Sequence, residues 1–375
     1  MDRLLRENSV LLLDGGLGTT LEDVFHKDIS HTPLWSSKLV EEDPQAIVQA
    51  HLAFLRAGAR VILTSTYQSA FNTFERAGHT QEDAVRIMRE SVKLASDARA
   101  VFVEEDVAKT EDVQIALSLG PFGATLSPAQ EFDGFYPPPY GPKAYSPTGD
   151  NRNTFDAESP EAVEASIQAL SEFHLERLSV FARDVETWPA IDCVAFETAP
   201  LAREVKAIRR AVDQLQHTVQ MKPWWISLIF PHGRYPEGQG SPGDQRLEMR
   251  DVVEAALGTD EGGVPDGIGI NCTETQFLPR LIAELADAVA EKAPTAQKKP
   301  WLVVYPNGGD VYDTVTQTWG PSTTGEGRKG DAWARQVGAV VQQIQRQAVW
   351  SGLIVGGCCK TGPEEIRALG LELGL

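Results

Sequence analysis

The stretch Gly352-Leu-Ile-Val-Gly-Gly-Cys-Cys359 decides the fold. Its apolar residues are consecutive rather than alternating, which marks a strand buried on both faces, as in a parallel sheet. Two glycines end the strand and a cysteine pair follows. This strand is read at 352–357. Working outward, seven more apolar, β-rich runs precede it, at 10–14, 60–64, 113–119, 191–197, 224–230, 266–272 and 301–305. Between them, apolar residues fall at helical spacing. The clearest cases are 161–185, with Val163, Ile167, Leu170, Leu178 and Phe181, and 333–350, with Trp333, Val337, Val340, Val341 and Ile344. Further helices are predicted at 44–57, 82–107, 201–215, 249–257 and 276–290. A last helix starts at Pro363, with Glu364 and Glu365 in the first turn, where the helix dipole favours acid.

Eight strand–helix units predict a (β/α)8 TIM barrel, with a doubly wound open sheet as the alternative. No linker interrupts the pattern. Residues 1–375 therefore read as a single barrel domain with a long loop insertion at about 122–153. That loop carries five prolines between Pro137 and Pro147. It follows the third strand, so it is expected on the catalytic face as a lid or substrate loop, or else as a surface insertion. The Gly- and Pro-rich segment 233–245 is similar.

Hydrophobic residues make up 42% of the chain and charged residues 23%, as in soluble globular proteins. The net charge of −19 repels phosphate backbones, so no nucleic-acid partner is expected. It mildly favours a cationic substrate. No run approaches the ~20 apolar residues of a membrane span. The apolar run at 10–13 falls short of the roughly 7–15 residues of a secretory signal. The chain is expected to be cytoplasmic, with no membrane partner, and no feature specifies an oligomeric state. In a reducing compartment Cys193, Cys272, Cys358 and Cys359 are expected as thiols, for metal binding or catalysis rather than disulfides.

Active-site groups of such barrels collect at the C-terminal ends of the strands. Here the first strand ends in Asp14-Gly15-Gly16, the fourth in Glu197-Thr198, the sixth in Asn271-Cys272 and the eighth in Gly357-Cys358-Cys359, while the seventh runs into Tyr305-Pro306-Asn307. Cys193 lies inside a strand and reads as core. Cys272, Cys358 and Cys359 share one rim, either as buried small hydrophobes or as a metal site. Zinc prefers four ligands, so three thiolates leave one position open. A three-thiolate zinc site carries a charge of −1 and polarises water poorly, but it suits a fourth sulfur. A thiol coordinated to zinc is deprotonated, whereas a free thiol with a pKa of about 8.5 is mostly protonated at neutral pH. The loaded, electron-rich site favours attack on a cationic electrophile such as a methyl sulfonium, because charge is neutralised as the reaction proceeds.

Asp14-Gly-Gly-x-Gly-Thr19, Thr64-Ser-Thr-Tyr-Gln68, Phe196-Glu-Thr198, Gly269-Ile-Asn-Cys272, Tyr305-Pro-Asn307 and Gly356-Gly-Cys-Cys359 together resemble the homocysteine S-methyltransferases, fungal members most of all. The motifs run in the family's order over nearly the whole chain. The resemblance implies a (β/α)8 barrel, Zn2+ on Cys272, Cys358 and Cys359, and homocysteine with its sulfur on the metal. It implies a methyl group from S-methylmethionine or S-adenosylmethionine, and methionine as product. It also implies that Asp14 and Glu197 hold the substrate ammonium and that the amides near Gly15 and Gly16 hold its carboxylate. Both acids have a structural alternative, as helix caps or ion-pair partners. Thr66, Tyr67, Gln68 and Asn307, also at strand ends, either shape the donor pocket or satisfy loop backbone. After Asn307 the chain has Gly308-Gly309-Asp310, where many relatives carry Ser-Gly-Glu.

The rivals fit less well. Asp14-x-Gly16-x-Gly18 mimics the first motif of Rossmann-type methyltransferases, but the second strand ends in Thr64-Ser65-Thr66 where that fold wants an acid. A zinc hydrolase would want His and carboxylate ligands. His174 reads as a core histidine, and His232 stands after the fifth strand near the rim. A non-catalytic zinc-binding or redox-sensing barrel predicts bound metal without turnover. Trp188, Trp224 and Trp225 read as packing residues.

Overall fold

Eight parallel strands build the barrel: β1 (Val10–Leu12), β2 (Val61–Leu63), β3 (Gln114–Leu119), β4 (Cys193–Ala199), β5 (Trp224–Leu228), β6 (Gly267–Asn271), β7 (Trp301–Tyr305) and β8 (Leu353–Val355). The computed structural model describes residues 1–7, 10–105, 113–156, 158–239, 245–259, 262–292, 298–313, 318–321 and 330–375. The sheet runs β1-β8-β7-β6-β5-β4-β3-β2. Leu11 pairs with Ile354, which pairs with Val303. A parallel bridge between Leu13 and Val61 brings β1 back to β2. The Asp14 amide bonded to the Val61 carbonyl at 3.0 Å and the Arg60 amide bonded to the Leu12 carbonyl at 2.7 Å reinforce this seam. The (β/α)8 expectation therefore holds and the open sheet does not.

Eight helices follow the strands: α1 (Pro44–Arg56), α2 (Gln81–Glu105), α3 (Pro160–Ala182), α4 (Ala202–Gln216), α5 (Met249–Leu257), α6 (Leu278–Lys292), α7 (Asp331–Gln345) and α8 (Pro363–Leu373). Local chemistry sets several starts. Asp43 caps α1 by accepting from the Ala46 amide at 3.2 Å, with Pro44 in the first turn. Glu365 reaches back to the Gly362 amide at 2.9 Å ahead of Pro363. Strand interiors read as continuous apolar runs because both faces are covered. One face packs under the helices, and the other fills the barrel with Trp225, Trp301, Tyr305, Cys193 and Ile354. Cys193 is core, and Trp188, Trp224 and Trp225 are buried.

Gly269 leaves room for this interior. A Cβ there would stand 2.2 Å from the Val303 carbonyl oxygen on the neighbouring strand. Gly269→Ala should cost roughly 2–3 kcal/mol, as overpacking against a backbone that cannot yield. A denaturant titration checks this, and an unchanged midpoint contradicts it.

Some boundaries differ from the sequence reading. The helix read at 333–350 ends at Gln345, because the Arg346 and Gln347 amides bond to the Gln343 and Ile344 carbonyls and tighten the last turn. The helix read at 161–185 ends at Ala182, where Asp184 instead accepts from the Thr187 amide at 2.8 Å. Residues 106–107 of the helix read at 82–107, and residues 240–244 of the segment at 233–245, lie outside the described residues. An antiparallel hairpin, Asp310–Asp313 with Thr318–Pro321, follows the Gly308-Gly309 pair and has no counterpart in the sequence reading. No helix among the described residues is long and apolar enough to cross a membrane.

Candidate active site

The C-terminal rim encloses a cavity of about 150 Å³. Gly15, Gly16, Tyr67, Gln68, Glu197, Cys272, Cys358 and Cys359 line it, and so do Trp35, Ser118, Glu131, Phe132, Asn271 and Tyr305. None of these residues is basic.

Backbone geometry aims the cysteines inward. Cys272 directly follows β6 with a φ of +47°, and Lys360, just after the cysteine pair, has a φ of +59°. Such conformations in non-glycine residues cost of order 1–3 kcal/mol and persist where the surroundings impose them. Here the Cys272 amide bonds to the Tyr305 carbonyl at 3.2 Å. The Cys272 carbonyl accepts from the Asn307 side chain at 3.1 Å. The Cys358 amide bonds to the Pro306 carbonyl at 2.8 Å, and the Gly308 amide to the Cys359 carbonyl at 2.8 Å. Gly16 passes so close that a Cβ there would lie 2.5 Å from the Cys358 carbonyl oxygen.

The three sulfurs lie within 4.8 Å of one another. Cys272 and Cys358 are joined as a disulfide, where the sequence reading expects thiols. Strand order explains the pairing, because β6 and β8 flank β7 and bring the two Cα atoms to 5.4 Å. Cys359 is free, with its sulfur 4.0 Å from that of Cys358. Tetrahedral zinc with Zn–S bonds of about 2.3 Å needs sulfurs roughly 3.8 Å apart. The 4.0 Å between the Cys358 and Cys359 sulfurs is close to that spacing, and once Cys272 and Cys358 are reduced the trio offers such an ion three thiolates. Burial pushes the Cys359 thiol up to about 12, and the charge of Glu131 adds to it.

The two acids of the sequence reading, Glu197 and Asp14, stand at strand ends of this rim. Glu197 stands near the end of β4, 5% exposed, and accepts from the Ser118 hydroxyl. Burial raises its pKa to about 7, against the pull of Ser118 and Tyr305. Thr198 follows with a φ of +60°. Asn271 holds it there, accepting from the Thr198 amide at 2.9 Å and donating to its hydroxyl at 2.7 Å. Asp14 is fully buried behind the cavity wall. One of its oxygens accepts from the Leu63 amide at 2.8 Å, and the other, Oδ1, has no partner. Burial raises its pKa well above the usual range, and the nearby Glu197 charge adds to this.

The remaining sequence-derived residues divide. Tyr67 and Gln68 line the cavity. Thr66 is buried, donating to the Ser118 carbonyl at 2.6 Å, and so stitches β2 to β3. Asn307 stands behind Cys272, with its own carbonyl accepting from the Trp333 indole at 3.0 Å. The Gly16 amide, expected to meet the substrate carboxylate, instead donates to the Thr361 carbonyl at 2.9 Å, because its loop packs against the cysteine loop. His174 is core, bonded to Glu204 at 3.0 Å, and His232 is exposed. The sequence reading did not single out Ser118, Trp35, Glu131 or Phe132. The one available signal was an acidic–aromatic pair, Glu131-Phe132, inside the long loop.

A TIM barrel whose rim gathers three cysteines and buried acids around a cavity with no basic side chain among its described lining residues is the frame of an enzyme that handles small thiols. The family model for homocysteine S-methyltransferase matches residues 11–373. The chain belongs to the homocysteine S-methyltransferase family, and its activity is methyl transfer to homocysteine. It is 30% identical over 372 residues to homocysteine S-methyltransferase YbgG of Bacillus subtilis, covering 98% of this chain and 96% of that one. It is 29% identical over 377 residues to a selenocysteine Se-methyltransferase of Brassica oleracea, covering 98% and 90%. In fold it is similar to the metallated form of the homocysteine methyltransferase MmuM from Escherichia coli, with a TM-score of 0.66, 24% identity and 98% of each chain covered.

Proposed function

We propose that this enzyme takes a methyl group from a sulfonium donor, S-methylmethionine or S-adenosylmethionine, and gives it to homocysteine held beside zinc on Cys272, Cys358 and Cys359. The observation that carries the metal assignment is the three sulfurs from two strand ends within 4.8 Å. Bound zinc supplies the positive charge that keeps a neighbouring substrate thiol ionised at neutral pH.

The chain's own residues do the rest. Glu197 receives the homocysteine ammonium at the cavity wall, with the unpartnered Asp14 oxygen adding negative charge behind it. An unpaired buried carboxylate is costly, and an ammonium offsets that cost. Ser118 and the Asn271–Thr198 clasp fix Glu197 in place. Gly15 and the loop backbone beside it face the substrate carboxylate. Leu17, Trp35 and Phe132 give the cavity apolar walls that limit water, so the negative charge around the sulfurs is weakly screened. A cationic donor fits this surface, which has no basic side chain among its described lining residues. In the transfer, the donor's carbon–sulfur bond breaks as the bond from methyl to homocysteine sulfur forms. The donor leaves as a neutral thioether, and the thiol proton goes to solvent. The reduced cysteines this requires suit a cytoplasmic location.

The test is methionine formation from homocysteine with each donor in parallel under reducing conditions, with selenocysteine as a second acceptor. Turnover with one or both sulfonium donors is expected. Turnover only with a neutral or folate-type methyl source would overturn the donor assignment.

A further inference from the structure

Glu131 is left over by the mechanism above. It comes from the 122–153 loop, not from a strand end. It is 7% exposed, it lines the cavity with the cysteines, and its Oε2 has no hydrogen-bond partner. It also lines a second, adjoining pocket of about 410 Å³. Trp35, Gln68 and Glu131 are common to both, so they form the wall where one space meets the other. Arg76 lines this second pocket, its guanidinium donating to the Thr125 carbonyl.

The loop is built to hold Glu131 at that wall. The Gln130 amide bonds to the Gly123 carbonyl at 2.9 Å, and a Cβ on Gly123 would stand 2.5 Å from the Gln130 carbonyl oxygen. Farther along, the Tyr136 hydroxyl donates to Glu204 at 2.7 Å. Asn153 donates to the carbonyls of Asp133 and Pro236 at 2.6 and 2.8 Å. The segment is therefore a fixed wall on α3 and α4.

We infer that Glu131 binds the α-ammonium of the methyl donor, whose amino-acid end occupies the adjoining second pocket while its sulfonium faces the sulfurs in the first cavity. This rests on the donor class proposed above. A buried, unpartnered carboxylate calls for a cation, and a sulfonium amino acid offers two. The sulfonium is the poorer choice: its charge disappears during transfer, so a carboxylate against it stabilises the ground state over the transition state and slows the reaction. The ammonium keeps its charge throughout, so binding it costs the chemical step nothing. Arg76 offers the donor's carboxylate a complementary charge in the same pocket.

The test is Glu131→Gln in the zinc-loaded, full-length protein. The KM for S-methylmethionine should rise about 10- to 100-fold, the range expected for a lost charged hydrogen bond. The kcat and the KM for homocysteine should stay within about threefold. With trimethylsulfonium, which has no ammonium, variant and parent should behave alike. A raised homocysteine KM, an unchanged donor KM, or an equal loss with trimethylsulfonium overturns the inference. Direct titration of S-methylmethionine separates this from failure of the function itself. A parent that turns nothing over but binds this donor more tightly than the variant keeps Glu131 and loses the reaction. A parent that binds no sulfonium amino acid loses both.

Discussion

Cys272→Ser lowers methyl transfer by about a thousandfold or more and leaves the purified protein short of zinc. The loss should exceed the roughly 10- to 100-fold typical of residues that only support a metal ligand, because the proposed assignment makes Cys272 a ligand itself. The remaining pair, Cys358 and Cys359, cannot replace it. They are adjacent in sequence on one strand end, whereas Cys272 reaches the site from β6, across β7. Cys193→Ala is the matched control. Cys193 is fully buried, whereas Cys272 is partly exposed, and it sits inside the barrel on β4, away from the trio. It should keep its zinc. Metal content by elemental analysis, alongside turnover, reads both. A Cys272 variant with normal zinc and normal rate contradicts the assignment.

Glu197→Gln raises the KM for homocysteine by about 10- to 100-fold, the range for a hydrogen bond to a charged group, with a smaller change in kcat. It also changes the pH profile. Burial lifts the Glu197 pKa to about 7, so in the free enzyme it is largely protonated below that pH. The ammonium of homocysteine prefers the ionised form, so kcat/KM for homocysteine should climb as pH rises through about 7. The glutamine variant should lose that limb. Stability moves the other way. A carboxyl raised in the folded state favours folding below its unfolded pKa and loses that contribution as pH rises through about 7. The unliganded parent should therefore lose some stability between about pH 4.5 and 7, and homocysteine should restore part of it. A variant with the parent's homocysteine KM and the parent's acid limb contradicts this role.

The barrel was legible because parallel strands covered on both faces leave consecutive apolar residues, as in Leu353-Ile354-Val355 and Trp301-Leu-Val-Val-Tyr305, and eight such runs alternate with helical spacing. The cysteines were legible because cysteine is rare and strand ends converge in this fold. What stayed hidden depends on long-range contacts or on side-chain direction. Glu131 reaches the cavity only because Gly123, Tyr136 and Asn153 tie its loop to distant parts of the chain. Thr66 and Asn307 stand at the right rim, yet both are engaged with backbone carbonyls, an outcome set by local turn geometry rather than by residue type. Glu197 was found by position, whereas Ser118, which holds it, is one serine among many in the sequence. The Cys272–Cys358 pairing likewise needed the strand order before the two residues could be seen as neighbours.

The central claim is that three cysteines hold the zinc on which methyl transfer to homocysteine depends. The most direct measurement follows that transfer in reduced protein as prepared, after removal of zinc verified by elemental analysis, and after zinc is added back. Activity should vanish with the metal and return as a single equivalent is restored to the parent, but not to the Cys272→Ser variant. Full activity in the reduced, metal-free protein would contradict the account.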